Sequence, residues 1–425
     1  MKLQIFSLIC QCHLICDDLE PAIDICKSGL ILCSSDCLQQ DDGKLMDRWR
    51  AYFLFQQLKC QTAMIDGCNL PHTESQEERI TSSATETLQA LDSLRSKMSY
   101  EEKTVLAMSH AVVDMKNGNT DSADKWLTDT ATDLGNAFKK NSSSINVSLE
   151  SLRAQYYLLY ALNAQLSGRA GQLASGSSFP AFEEFFKSMD KLDKMKESIH
   201  NQIDNGICRT QAPLGDSCAR ILGELTQASL LRTSGRSADA AIQFADVDES
   251  IEAASHSYFS DFLCESESSQ YRLFVQKPFC QLKCLALEQK MLSSLVACDF
   301  RNAARLCSEL GELIQNNPKS LKYHIGSFCM LLGQYFHSTQ EYDAAITIYN
   351  VLQQHGPKQL RHMAALNAAL TEIHDDGRND IVAASLRMKE SGLDSSVLGS
   401  LPIHERYVGA LLNLQPSCIS SPLST

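Results

Sequence analysis

The chain has 425 residues, 44% apolar and 21% charged, enough to bury a substantial core, and no run reaches the 18 or more apolar residues of a membrane span. Its net charge of −13, from 51 acidic and 38 basic residues, repels a polyanion, so direct nucleic-acid binding lacks its usual electrostatic drive. Helix formers dominate the periodic stretches and alternating β-branched runs are nearly absent, which excludes a strand-rich fold.

Residues 1–16, MKLQIFSLICQCHLIC, open with Lys2 and an apolar run. Gln4, Gln11, Cys12 and His13 interrupt it and no small-residue cleavage site precedes Asp17 and Asp18, so the segment reads as a first helix and not as an export signal. DDLEPAIDIC follows with Ala22 and Cys26 at the spacing of a helix-turn-helix corner. Residues 67–83 read as a loop from their Gly, Pro, Ser and Asn content. Ser99 and Glu102 stand three apart as a capping box for a helix that stops near Gly118. A second corner, GNTDSADKW, places Ala123 and Trp126, and residues 139–146 read as a loop. In SLESLRAQYYLLYALNAQLSG, Ser148 is the expected N-cap. Leu149, Leu152, Tyr156, Leu159, Leu162 and Leu166 form one apolar stripe, and Gly168 ends the helix. Loops are expected over 167–180 and 205–217, and a third corner, GRSADAAIQF, carries Ala241 and Phe244.

The clearest unit is LLGQYFHSTQEYDAAITIYNVLQQHGP, residues 331–357. Gly333 and Tyr335 fall in a first helix, Tyr342 and Asp343 at the turn, Ala345, Tyr349 and Leu352 in a second helix, and Pro357 closes it. This is the tetratricopeptide order, in which small residues let two antiparallel helices approach and aromatics fill the gap to the next pair. Upstream, Phe300, Ala303, Cys307 and Pro318 repeat Tyr342, Ala345, Tyr349 and Pro357 at offsets of 42, 42, 42 and 39 residues. Between the two, SLKYHIGSFCMLLGQYFH reads as one helix with an apolar face through Leu321, Ile325, Phe328, Leu332 and Tyr335. Five related corners predict an all-α, tetratricopeptide-like α-α superhelix, a right-handed solenoid of antiparallel helix pairs over residues 1–414, with 415–425 disordered.

The 17 cysteines are odd in number, dispersed and mostly at apolar helical positions, so they read as reduced core residues of a cytosolic or nuclear protein. Cys10, Cys12, His13 and Cys16 cluster in sequence, but no second ligand pair follows at zinc-finger spacing. Cys33 with Cys37, and Cys280 with Cys284, are i, i+4 pairs, and two ligands do not make a site. No GxSxG elbow, HExxH helix or P-loop is present, and nothing joins a nucleophile to a base. No catalytic, cofactor-binding or metal residue is therefore assigned. Tyr157, Tyr160, Lys322 and Gln334, read as exposed residues on first helices of repeats, are the candidates for a concave groove that holds an extended peptide.

Four segments, ESLRAQYYLLYALNAQLSGRAG, ACDFRNAARLCSELGELIQNNPKSLKYHIGSFCMLLGQYFHSTQEYDAAITIYNVL, LNAALTEIHDDGRN and GLDSSVLGSLPIHERYVGALLNL, resemble the helical-repeat subunit of the cohesin loader, the sister chromatid cohesion protein of the Mau type. They fall in that family's order over residues 150–414, most specifically from Leu332 to Asn379; residues 1–140 match only in general character. The resemblance implies a nuclear, chromatin-associated, non-catalytic scaffold without cofactors. It would wrap the N-terminal segment of the large adherin (Nipped-B-like) subunit and meet cohesin through it, with no direct nucleic-acid or membrane binding. It also implies further repeats beyond Leu414. The alternatives are a tetratricopeptide subunit of another assembly, such as the anaphase-promoting complex or a chaperone adaptor, or, in another class, a cysteine-dependent enzyme or metal protein.

Overall fold

The computed structural model describes residues 2–16, 18–34, 43–66, 74–140, 147–169, 180–203, 214–262, 269–356 and 358–374, with Ala384 and Arg387. Among them are fifteen α-helices and no strand. In chain order these are α1 (Lys2–Cys16), α2 (Leu19–Ser34), α3 (Gly43–Asp66), α4 (Glu74–Leu94), α5 (Tyr100–Lys116), α6 (Thr120–Lys140), α7 (Val147–Leu166), α8 (Pro180–Ile203), α9 (Leu214–Thr233), α10 (Ser237–Phe262), α11 (Ser269–Val296), α12 (Phe300–Asn316), α13 (Ile325–Ser338), α14 (Tyr342–His355) and α15 (Lys358–His374). They fall into two compact units: Met1–Asp66, Glu78–Gln227 and Glu252–Pro278 form the first, and Gly67–Glu77, Ala228–Ile251 and Phe279–Thr425 the second. Within each, consecutive helices pack in pairs, α1 on α2, α5 on α6 and α7 on α8 in the first, α13 on α14 and α14 on α15 in the second. The fold is an all-α helical repeat.

A single backbone device recurs at the tight corners. Gly118, Gly168, Gly235, Cys298 and Gln340 adopt left-handed φ of 77°, 68°, 83°, 56° and 67°. At each, the left-handed residue donates its N–H three residues back, and the next residue donates five back: Asn119 to Asp114, Arg169 to Ala164, Arg236 to Leu231, Asp299 to Ser294 and Glu341 to Phe336, all at 2.8–2.9 Å. This Schellman closure satisfies carbonyls that the ending helix orphans. At four of the five corners, the carbonyl of that next residue then accepts from an alanine four further on, at Ala123, Ala240, Ala303 and Ala345. Ala22 does the same to Asp18 at the α1–α2 corner, where Asp18 donates to His13 at 2.9 Å. All five alanines are at most 1% exposed. A methyl is thus enclosed where the second helix packs on the first, so corner and alanine form one unit of local structure and packing.

Counting from the left-handed residue corrects two expected positions. At the third corner the buried small residue is Ala240, five after Gly235, and Ala241 is exposed. At the second corner Leu127, four after Ala123 and 1% exposed, fills the place that Cys26, Phe244 and Tyr349 fill elsewhere. Trp126 instead lies one helical step around and stacks on His110 with centroids 4.0 Å apart.

Other local expectations separate in the same way. The capping box forms as read: Ser99 Oγ accepts from the Glu102 N–H at 3.2 Å and the Ser99 N–H donates to Glu102 Oε2 at 2.7 Å. Ser148 is not an N-cap but lies inside the first turn of α7, which starts at Val147. The loop expected over 67–83 shrinks because α4 begins at Glu74, where Glu, Gln and Arg favour helix. In the same way α6 extends to Lys140 and α9 begins at Leu214. Residues 67–73, 141–146, 170–179, 205–213 and 415–425, with Pro357, lie outside the described residues. The helix read from residue 320 is broken: Lys322–His324 form a 3₁₀ turn, and α13 starts at Ile325. Its most buried positions are Gly326, Met330, Leu331 and Gly333, while Phe328 and Tyr335 pack at the margin of the core.

Candidate functional site

The four groove candidates lie on two elements of the first-helix set and on one turn. Tyr157 and Tyr160 are on α7, Gln334 is on α13, and Lys322 sits in the 3₁₀ turn ahead of α13 rather than on a helix. All four are half-buried and not exposed as expected, because neighbouring helices cover part of each side chain. Tyr157 and Tyr160 belong to the first unit, Lys322 and Gln334 to the second.

Around Tyr157 the surface is ordered by charge. The Arg153 guanidinium lies 5.8 Å from the Tyr157 ring centroid and bonds Glu184 of α8 at 3.1 Å. Glu150, one turn earlier on α7 and 2% exposed, accepts from Lys191 of α8 at 2.8 Å and lies 3.7 Å from Arg153. A hydrogen bond from Lys187 holds the Glu184 carboxyl below its usual range. These pairs pin α8 to α7 and frame Tyr157 with both signs of charge. Tyr160 packs with Tyr156, centroids 6.2 Å apart, at the margin of the core of Ala111, Met115, Ala123 and Leu127. Burial pushes the Tyr156 phenol up to about 12. Of the three tyrosines, Tyr156 is tied most firmly to the core and Tyr157 carries the polar frame.

The cysteines near the start do not converge. Cys10 is buried with its Sγ 3.4 Å from Cys26 Sγ, Cys12 is exposed, and His13 turns to Asp18 at 3.7 Å. The Cys16 side chain and Cys37 lie outside the described residues. Burial pushes the thiols of Cys10, Cys26 and Cys60 up, Cys60 to about 12, so these are protonated core groups and poor nucleophiles.

A different set comes together on α11. Cys284 and Glu288, one turn apart, face His324 from the 3₁₀ turn ahead of α13, and their donor atoms all lie within 4.8 Å of one another. Cys280, the expected i, i+4 partner of Cys284, instead reaches Asn317 Oδ1 at 3.7 Å. Sequence reading stopped at the two cysteines because Glu288 looks like an ordinary helical carboxylate and His324 follows it by 36 residues. A signal was present: a carboxylate at i+4 from a buried cysteine puts two donors on one buried face.

No family model matches the chain, and no curated protein aligns with it significantly. What the fold and these sites define is a class, an all-α helical-repeat protein.

Proposed function

We propose that the chain is a non-catalytic scaffold that holds an extended segment of a partner protein, and that it acts as the helical-repeat subunit of a cohesin loader. The observation that carries the first part is the recurrent corner, a left-handed closure followed at five residues by a buried alanine, found in both units. Stacked helix pairs of this kind offer a long lateral surface whose many modest contacts offset the ordering cost of a disordered segment. Tyr157, framed by Arg153, Glu184 and Lys187, is a surface of that type: an amphipathic ring beside both signs of charge.

The second part rests on the resemblance of residues 150–414 to the Mau-type family. On that reading the partner is the N-terminal segment of the adherin-like subunit, cohesin is met through it, and the protein works on chromatin in the nucleus. The net charge of −13 suits a protein that reaches DNA through a partner. The test is calorimetric titration of the purified chain with the recombinant N-terminal segment of that subunit. A saturable one-to-one heat, weakened several-fold by Tyr157→Ala, is expected. Absence of binding to that segment by a folded chain overturns the cohesin-loader reading and leaves the helical-repeat class intact.

A further inference from the structure

We propose that Cys284, Glu288 and His324 form a binding site for a zinc-type transition-metal ion, which ties α11 to the turn ahead of α13. Nothing in this inference depends on the partner reading above.

The geometry comes first. Glu288 Oε1 lies 3.2 Å from His324 Nδ1 and 3.8 Å from Cys284 Sγ. Zinc bonds of about 2.3 Å to sulfur and about 2.0–2.2 Å to nitrogen and oxygen, at tetrahedral angles, set neighbouring donors roughly 3.3–3.6 Å apart. Two of the three donor pairs thus stand within a few tenths of an ångström of tetrahedral edge lengths, and all three donors lie within 4.8 Å of one another. A thiol, an imidazole and a carboxylate together suit a borderline-soft ion and are a poor set for magnesium or calcium, which take oxygen.

The setting is the second argument. Cys284 is 0% and Glu288 6% exposed, and the surrounding core is Leu287, Met291, Leu306, Leu310, Leu321 and Leu331. A carboxylate in such a pocket carries a heavy desolvation cost that one imidazole and one weak thiol donor offset only in part. A divalent ion bound there would offset it further. His324, with 15% of its side chain exposed, gives the ion a way in and leaves room for water as the fourth ligand. Burial and the Glu288 carboxylate push the Cys284 thiol well up, so the metal must displace its proton.

Two of the ligands stand one helical turn apart on α11 and the third comes from the 3₁₀ turn that follows α12. With Leu321 0% exposed on one side and α13 beginning on the other, that turn places the ring of His324 over Glu288. A site of this kind fixes where α13 begins against α11.

The experiment is cobalt substitution of the 425-residue chain under reducing conditions, read by the thiolate-to-cobalt charge-transfer band and visible ligand-field bands. Uptake of about one ion per chain is expected, displaced by zinc, lost in Cys284→Ala and in His324→Gln, and retained in Cys12→Ala. No band in the wild-type chain, or a band unchanged in Cys284→Ala, overturns the proposal. Should either site variant fail to fold by circular dichroism, X-ray absorption of the zinc-loaded wild-type chain decides. One sulfur with nitrogen and oxygen neighbours is expected, and a shell of several sulfurs or of none overturns it.

Discussion

At the corner between α13 and α14 an aromatic ring fills the space that Gly333 leaves open, whereas among α1, α2 and α3 three thiols and a phenylalanine share the comparable space. A Cβ on Gly333 would lie 2.5 Å from Tyr349 Cε1, and one on Gly29 of α2 would lie 2.7 Å from the Phe53 ring of α3. Cys10, Cys26 and Cys60, all 0% exposed, complete the earlier corner, and Tyr349, also 0% exposed, completes the later one. Cys26 and Tyr349 stand four residues after the corner alanines Ala22 and Ala345. The backbone closure therefore sets how the helices cross, and the residue four after the alanine only has to match the gap. The fillings differ in what they cost. A buried thiol asks for little hydrogen bonding, but the Tyr349 hydroxyl is buried with no hydrogen-bond partner among the described residues.

The comparison is broken most forcefully by emptying each corner. Tyr349→Ala should cost about 3–5 kcal/mol, the range for deleting a buried aromatic. Cys26→Ala, which removes a single sulfur, should cost about 1 kcal/mol. Urea unfolding of both variants measures the difference, and equal losses would mean that the ring is not the element closing α13 on α14. Gly333→Ala comes next. Alanine gains about 1 kcal/mol in helix propensity over glycine, but the methyl meets a fully buried ring that cannot swing away, at a cost of about 1–3 kcal/mol. The expected result is a lower urea midpoint, against the rise that a Gly-to-Ala change brings on an open helix face.

Two half-buried histidines sharpen the contrast by pH. His337 of α13 bonds Thr371 Oγ1 at 2.7 Å and His374 Nδ1 at 3.0 Å, both on α15. Burial, and then the neighbouring His374, push its pKa down. His110 of α5 is also pushed down by burial, but Asp92, 3.1 Å away, opposes the shift. A histidine whose folded pKa is depressed binds fewer protons folded than unfolded. Its contribution is intact above the unfolded pKa of about 6.5 and is lost as pH falls from there through the folded value. Stability should therefore drop on acidification below about pH 6.5. His337→Gln should flatten that drop more than His110→Gln, because no carboxylate among the described residues relieves His337. Unfolding curves across the range measure both slopes.

The fold was legible where the code is local. Ser99 and Glu102 announce their capping box, Gly118 and Gly168 end their helices as read, and the 42-residue offset between Ala303 and Ala345 reports a true structural repeat. Reading failed where one residue of phase decides. Ala240 and Ala241 are chemically identical, and only the left-handed Gly235 fixes which one faces inward. At the other two-helix corners Cys298 and Gln340 take the left-handed conformation without being glycine, so composition gives no cue. His324 was illegible as the partner of Cys284 and Glu288 for a different reason: α12 stands between it and the other two in the chain.

The smallest expected effect is the most discriminating. Tyr349→Phe keeps the ring that Gly333 accommodates and removes only the hydroxyl. Burial alone pushes the Tyr349 phenol up, so at neutral pH the group lost is a protonated, uncharged O–H. A buried hydroxyl without a partner forfeits its hydration for no return, at about 1–3 kcal/mol, partly repaid by the ring contacts it makes. The variant should therefore unfold at a slightly higher urea concentration than the wild-type chain, by about 1 kcal/mol, with an unchanged slope. Combining it with Gly333→Ala separates the two roles of the ring. The added methyl meets Cε1, Cζ and Cδ1, which phenylalanine retains, so the penalty of the glycine substitution should persist undiminished in the double variant. A penalty that disappeared with the hydroxyl would mean that the oxygen, and not the ring, holds Tyr349 against α13.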